Sequence, residues 1–271
     1  MTRNPLLWIG AGLIAAQALA ALAAPWLAPL DPNAQDILAR FAPPGTDHLL
    51  GTDNFGRDTL ARVLFGYRTL FAISAISVLA ALAVGGSLGI AAAWCGGWTD
   101  RIAMRLMDVL FAFPLILLAI AIIAVLGPGA LSTAIAIAVV YAPIFARTLR
   151  APTLLLRETD YIAAARATGA AAPRIIARHL LPNLAPVILV QASLSLSTAM
   201  LVEASLSFLG LGTQPPTASL GRMLAESRNI LALSPWPAII SGAAILLAAL
   251  GFNLLGDGLQ DRLDPRLRGR T

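Results

Sequence analysis

Six stretches of roughly twenty apolar residues, almost free of charge, alternate along this chain with polar intervals, and no other feature restricts its fold so strongly. A helix rises about 1.5 Å per residue and the hydrocarbon core of a bilayer is about 30 Å thick, so a run of about 20 apolar residues has the length of one crossing. The period-2 alternation that a membrane β-barrel needs is absent. With 58% hydrophobic and 12% charged residues, the 271-residue chain carries more apolar surface than a water-soluble domain of its size buries. The expected fold is all-α: a polytopic membrane protein with about six transmembrane helices and the lipid bilayer as its solvent.

Helix 1 is expected over residues 6–30, helix 2 over 70–94, helix 3 over 106–126 with a kink at Pro114, helix 4 over 130–146 around Pro143, helix 5 over 186–208 and helix 6 over 236–255. The first stretch resembles a secretory signal. Its apolar length exceeds the roughly 7 to 15 residues of a signal core, however, and Pro25 follows the small-residue cleavage point, so it is read as a membrane helix. Gly85 and Gly89 form a small-xxx-small face that lets another helix come close. The chain thus divides into an N-terminal helix (1–30), an external segment (31–69), a core of helices 2–6 (70–258) with an inner loop at 147–183 and an outer loop at 210–235, and a charged tail (259–271). Residues 220–231 in the outer loop are amphipathic, fit to lie on the outer surface or dip into it.

A formal charge of +5 would suggest nucleic acid in a soluble protein, but here the arginines occupy the gaps between apolar runs and read as topology, with no nucleic-acid partner. All nineteen basic residues are arginine. Without lysine there is no Walker A lysine and no Schiff base, so an ATP-hydrolysing site and imine chemistry are both excluded, and no cofactor is implied. Cys95 stands alone, which excludes an intrachain disulfide and C-x-x-C chemistry. If both termini are cytoplasmic, about thirteen arginines fall inside and about six outside, as the positive-inside rule requires.

The inner loop carries the most specific signal. From Asp160 to Asn183 it reads DYIAAARATGAAAPRIIARHLLPN. Ala-rich residues 161–168 favour helix, Gly169 can take the left-handed conformation that ends one, Pro173 suits the first turn of the next, and Pro182 is expected to stop it. Small side chains let a partner's surface approach the backbone, while Arg166, Arg174 and Arg178 offer charge. The pattern resembles the EAA loop of ABC importer permeases, which forms a coupling helix docked in a cleft of the ATPase subunit. The matching positions are Ala164, Ala165, Gly169, Leu181 and Pro182, with Glu158, Asp160, Tyr161, Ala163, Arg166 and Arg174 completing the docking surface. Ala163 stands where that family usually has Glu. Any salt bridge that Glu makes in relatives is therefore absent or supplied by Glu158 or Asp160.

Two further stretches extend the resemblance over nearly the whole chain. LGTDNFGRDTLAR at 50–62, which contains Gly51, Thr52, Asp53, Gly56, Arg57, Asp58 and Arg62, resembles the motif after helix 1 of dipeptide, oligopeptide and nickel permeases. EASLSFLGLG at 203–212, FNLLGDGL at 252–259 and LDPR at 263–266 are similar to the second half of the same family. The long external segment matches its "C" member. The resemblance implies a second permease subunit, two ATP-binding subunits and an external solute-binding protein, with short peptides the expected cargo and nickel chelates or glutathione the alternatives. A secondary transporter or channel uncoupled from ATPases is the competing class; the paired midplane ionisable residues or repeated halves such proteins usually show are not evident.

Individual polar residues carry narrower expectations. Asp58 and Arg62, four apart on a helix, suit a surface ion pair or a shaped partner contact. Glu203, about 17 residues into helix 5 and so near its outer boundary, is either a structural interfacial residue or a lining of the pathway. Asp108 and Asp257 are expected to cap or to pair with Arg105 and Arg262. His48 and His179 are too isolated for a metal site.

Overall fold

The computed structural model describes residues 5–28 and 30–263, so Arg3 and the tail arginines 266, 268 and 270 lie outside the described residues, as does most of the LDPR stretch. Among the described residues the regular structure is helical. Helix α1 is Pro5–Leu22, with a short turn α2 at Ala24–Leu27; α3 is Thr59–Ala81, joined by a wide π turn (Leu82–Gly86) to α4, Ser87–Cys95. Then follow α5 (Gly97–Phe111), α6 (Leu115–Leu126), α7 (Ala130–Arg157), α8 (Asp160–Ala167), α9 (Ala172–Ile175) and, after a second π turn, α10 (Leu181–Phe208). The short α11 (Leu220–Ser227) and the long α12 (Trp236–Leu263) close the described chain.

Five helical segments are long and apolar enough to cross a bilayer, and the bent α5–α6 pair makes up to six. Several run past the boundaries that charge alone suggests. The second crossing starts at Thr59 rather than 70, because the Asp58 carboxylate caps it by accepting from the Ala61 N–H at 2.8 Å. The fourth runs through Pro143 and Pro152 to Arg157, not to 146, since its arginines find partners at the helix surface. The third is not one kinked helix. It breaks at residues 112–114 with a 91° bend, and its first part, α5, starts at Gly97 rather than at 106.

Three apolar clusters hold the bundle. One joins α3, α6, α7 and α10 around Ile123, Ile137, Tyr141 and Phe145; a second joins α1, α3, α10, α11 and α12 around Leu70, Met200, Leu220 and Ala248. Glycines set the closest approaches. A Cβ on Gly85 would lie 2.0 Å from the Ala142 carbonyl oxygen and one on Gly89 2.2 Å from that of Ala146, so α7 lies directly on the small face of the second crossing. In the same way Gly221 brings α11 against the Ala204 carbonyl, drawing this segment into the bundle.

Candidate functional site

Helices α8 and α9 form an elbow at the end of the bundle where α4 and α7 terminate. Ile162 and Ile175 face inward, fully buried with Leu149, Leu180, Leu184 and Ile90 in the third apolar cluster. Tyr161, Ala163, Ala164, Arg166, Gly169 and Arg174 are exposed, and Ala165 is half-buried. The elbow's angle comes from a Schellman turn: the Ala170 N–H donates to the Ala165 carbonyl (3.1 Å) and the Gly169 N–H to that of Arg166 (3.0 Å), with Gly169 at φ +80°. No atom lies within 4 Å of a Cβ built there, so the glycine serves conformation rather than space. Pro173 occupies the first turn of α9.

Pro182 does not stop the helix. The π turn Ile176–Leu180 carries α9 straight into α10, and Pro182 falls in the opening turn of α10, exposed beside Leu181. Glu158 is exposed and engaged by its neighbour, accepting from Arg157 Nε at 2.9 Å. Asp160 sits in the first turn of α8, where the helix dipole favours a carboxylate. Arg166 lies 4.3 Å over the Trp94 ring, tying α8 to α4, and the rings of Tyr161 and His179 are 6.2 Å apart.

Beside the elbow, α7 clamps α5. Arg150 grips Asp100 with two bonds of 2.6 Å, Arg147 meets Asp108 at 2.5 Å, and Arg157 donates to the Ala93 carbonyl at 2.7 Å. Asp108 thus pairs with Arg147, 39 positions away, and not with Arg105. The sequence reading missed this clamp because it placed both arginines in a loop.

The motif at 51–62 lies at the opposite end of the α3–α4 crossing and is a buried polar knot rather than a surface pair. The Asp53 carboxylate accepts from the backbone N–H groups of Phe55 (2.8 Å) and Arg57 (3.0 Å) and from Arg57 Nε (2.6 Å). Arg57 reaches on to Glu226 of α11 at 2.6 Å. Thr52 donates its hydroxyl to the Ala39 carbonyl and accepts from the Ala42 N–H at 2.9 Å. Gly51 and Gly56 both turn at φ +73°, and a Cβ at Gly56 would strike the Asp36 carbonyl. Asp58 and Arg62 do not pair with each other. Asp58 caps α3 and holds His48 Nδ1 at 3.0 Å, while Arg62, 1% exposed, donates to the Pro32 carbonyl at 3.2 Å and stands 3.7 Å from Asp53. Glu226 also escaped the sequence reading, although Arg222 four residues before it, at 3.1 Å in the structure, is a legible helical pair.

Glu203 on α10 is 1% exposed. Its Oε1 accepts from the Ser207 hydroxyl at 2.8 Å, and Ser207 Oγ accepts from the Thr213 N–H at 3.3 Å, so the carboxyl anchors the turn after α10. Among the described residues Oε2 has no hydrogen-bond partner. The geometry thus gathers the elbow residues at one end of the bundle and the 51–62 motif at the other, with Glu203 next to Ala204, on which α11 packs, and apart from both groups.

A bundle of membrane-length helices carrying an exposed two-helix elbow at one end suits a membrane transport subunit, and the family match shows that class. Residues 85–269 match the family described as "Binding-protein-dependent transport system inner membrane component", and residues 1–44 match "N-terminal TM domain of oligopeptide transport permease C". The chain belongs to the first of these families and is the permease subunit of an ABC importer. It is 42% identical to the dipeptide transport system permease protein of Alkalihalophilus pseudofirmus, over 99% of this chain and 88% of that one. It is 43% identical to the di/tripeptide transport system permease protein of Pseudomonas aeruginosa (92% and 84% covered) and 46% identical to the glutathione transport system permease protein of Pectobacterium atrosepticum (83% and 75%). Its fold is similar to a chain from the inward-facing MetNI methionine ABC transporter, with a TM-score of 0.57 at 19% identity over 73% of this chain and 96% of that one.

Proposed function

We propose that this chain forms half of the translocation pathway of an importer for short peptides, and that an ATPase subunit grips the α8–α9 elbow from the cytoplasm. The single observation that carries this reading is the elbow itself: one face locked into the bundle by Ile162 and Ile175, the other an exposed strip of alanines with arginines at its edges. Such a part transmits force, because a push on the exposed face passes into α10 through the unbroken α9–α10 backbone. The arginine distribution supports placing the elbow inside, with both termini. The names of the three relatives given above, two of them peptide and one a glutathione transport permease, favour a peptide cargo, glutathione being itself a tripeptide. On this reading the chain hydrolyses nothing. A second permease subunit completes the pathway, two ATP-binding subunits supply the energy, and an external solute-binding protein delivers the cargo. Alternating access then follows as the motors close and reopen.

Replacing Ala164 by Trp tests the handle without touching the core, since position 164 is exposed. Normal membrane insertion with loss of ATPase co-purification is the expected result. Undiminished co-purification would overturn the docking role, and labelling of a cysteine at 164 from outside intact cells would overturn the orientation.

A further inference from the structure

The bend between α5 and α6 leaves a feature that the coupling mechanism does not use. Helix α5 is amphipathic along its length: Trp98, Ile102, Leu106 and Val109 form one exposed stripe, between 56% and 72% accessible. Arg101 and Arg105, each one residue before a member of that stripe (Ile102 and Leu106), make a parallel cationic stripe. The 91° break before α6 sets α5 across the direction of that helix, so that where α6 runs through the bilayer α5 lies along its surface. An open cleft of about 550 Å³ borders both arginines. The cleft's two carboxylates are already consumed, Asp100 by Arg150 and Asp108 by Arg147. Arg101 only overlies the Trp98 ring at 4.7 Å, and Arg105 has no ion pair among the described residues. Two uncompensated cations therefore border an apolar stripe, with an indole at the end of the row where interfacial tryptophans sit.

We propose that α5 is an in-plane lipid-binding helix whose Arg101 and Arg105 hold the phosphate of an anionic phospholipid, while Ile102, Leu106 and Val109 rest among its acyl chains. Only a membrane lipid supplies anionic phosphate and hydrocarbon at this spacing; a free phosphate satisfies the arginines and leaves the stripe in water. A facing protein surface would have to bring its own carboxylates. Which leaflet is occupied rests on the orientation proposed above, but the site itself does not.

Native mass spectrometry of the assembled importer, released from bilayers of equal phosphatidylglycerol and phosphatidylcholine, tests this. The wild type should retain phosphatidylglycerol, and retention should fall about fivefold for each arginine removed in Arg101→Gln and Arg105→Gln. Arg101→Lys/Arg105→Lys should retain most of it, the exposed Arg228→Gln should change nothing, and added inorganic phosphate should not displace it. Equal retention by the wild type and the double Gln variant, or displacement by phosphate alone, would overturn the site. A nitroxide at Ile102→Cys in a Cys95→Ser background should meet dissolved oxygen in the bilayer; shielding from both oxygen and a water-soluble nickel chelate means that another chain covers the stripe and refutes the lipid. ATPase co-purification from the same preparations reports separately on the elbow.

Discussion

Arg57 and Glu226 stand 169 positions apart in the chain and meet at 2.6 Å, with the Asp53 carboxylate bonded to the same guanidinium at 2.6 Å. This pair fastens the segment before α3 to α11, which is itself wedged against α10 through Gly221. Arg57 is almost fully buried, so truncating it takes the shared cation from two carboxylates in a poorly solvated place and leaves Glu226 only Arg222, and Asp53 its backbone donors and the more distant Arg62. Arg57→Ala should cost about 3–5 kcal/mol and expose residues 31–58 to protease. The double variant Arg57→Ala/Glu226→Ala should recover part of the loss, with a coupling of about 0.5–3 kcal/mol in a thermal-unfolding cycle. Additive effects would mean that the bridge is ornamental.

The contact of α7 with the second crossing makes a sharper steric prediction. Gly89→Leu forces a side chain into the Ala146 carbonyl, where even a Cβ sits at 2.2 Å. Separation of the helices should cost about 1–3 kcal/mol in detergent unfolding. Gly242→Ala, with nothing within 4 Å of the new Cβ, should be neutral or slightly stabilising through helix propensity.

What the sequence disclosed and what it withheld divide along the range of the interactions. The left-handed turn at Gly169 and the start of α9 at Pro173 were readable because they depend on a few consecutive residues. The end of α7 was not, because Arg147 and Arg150 look like a polar boundary until Asp108 and Asp100 are known to lie opposite them, 39 and 50 positions away. The Asp58–Arg62 spacing suggested a surface pair. At a helix start, however, one carboxylate oxygen turns back to cap Ala61 and the other holds His48, leaving neither for Arg62. Pro182 misled for a related reason, since a π turn just before it absorbs the missing backbone donor and the chain stays helical.

The two clamps on α5 should differ in strength. Arg150 holds Asp100 in a fork of two 2.6 Å bonds with side chains 33% and 20% exposed, while Arg147 and Asp108 share one bond and are each 48% exposed. Asp100→Asn should therefore loosen α5 by about 1 kcal/mol, seen as faster amide exchange over 97–111. Asp108→Asn should change the exchange little, because water already screens that pair. High salt should shrink the gap between the variants. Equal exchange at low salt would show that packing of Met107, not the fork, fixes the helix.

Gly169→Ala places the demand on backbone shape alone. Nothing lies within 4 Å of the added methyl, so any effect comes from holding an L side chain at φ +80°, a cost of about 1–2 kcal/mol. The relaxed alternative unwinds the Schellman turn and breaks the bonds of Gly169 and Ala170 to Arg166 and Ala165, swinging exposed Ala163 and Ala164 relative to α9. Helices α9 and α10 remain continuous, so membrane insertion and the core around Ile175 should persist. ATPase co-purification should weaken, and Gly169→Asn, which tolerates the left-handed region better, should lose less. Identical losses for Ala and Asn would point to the side chain itself obstructing the partner, and full retention by both would mean that the elbow's angle is not what the motor reads.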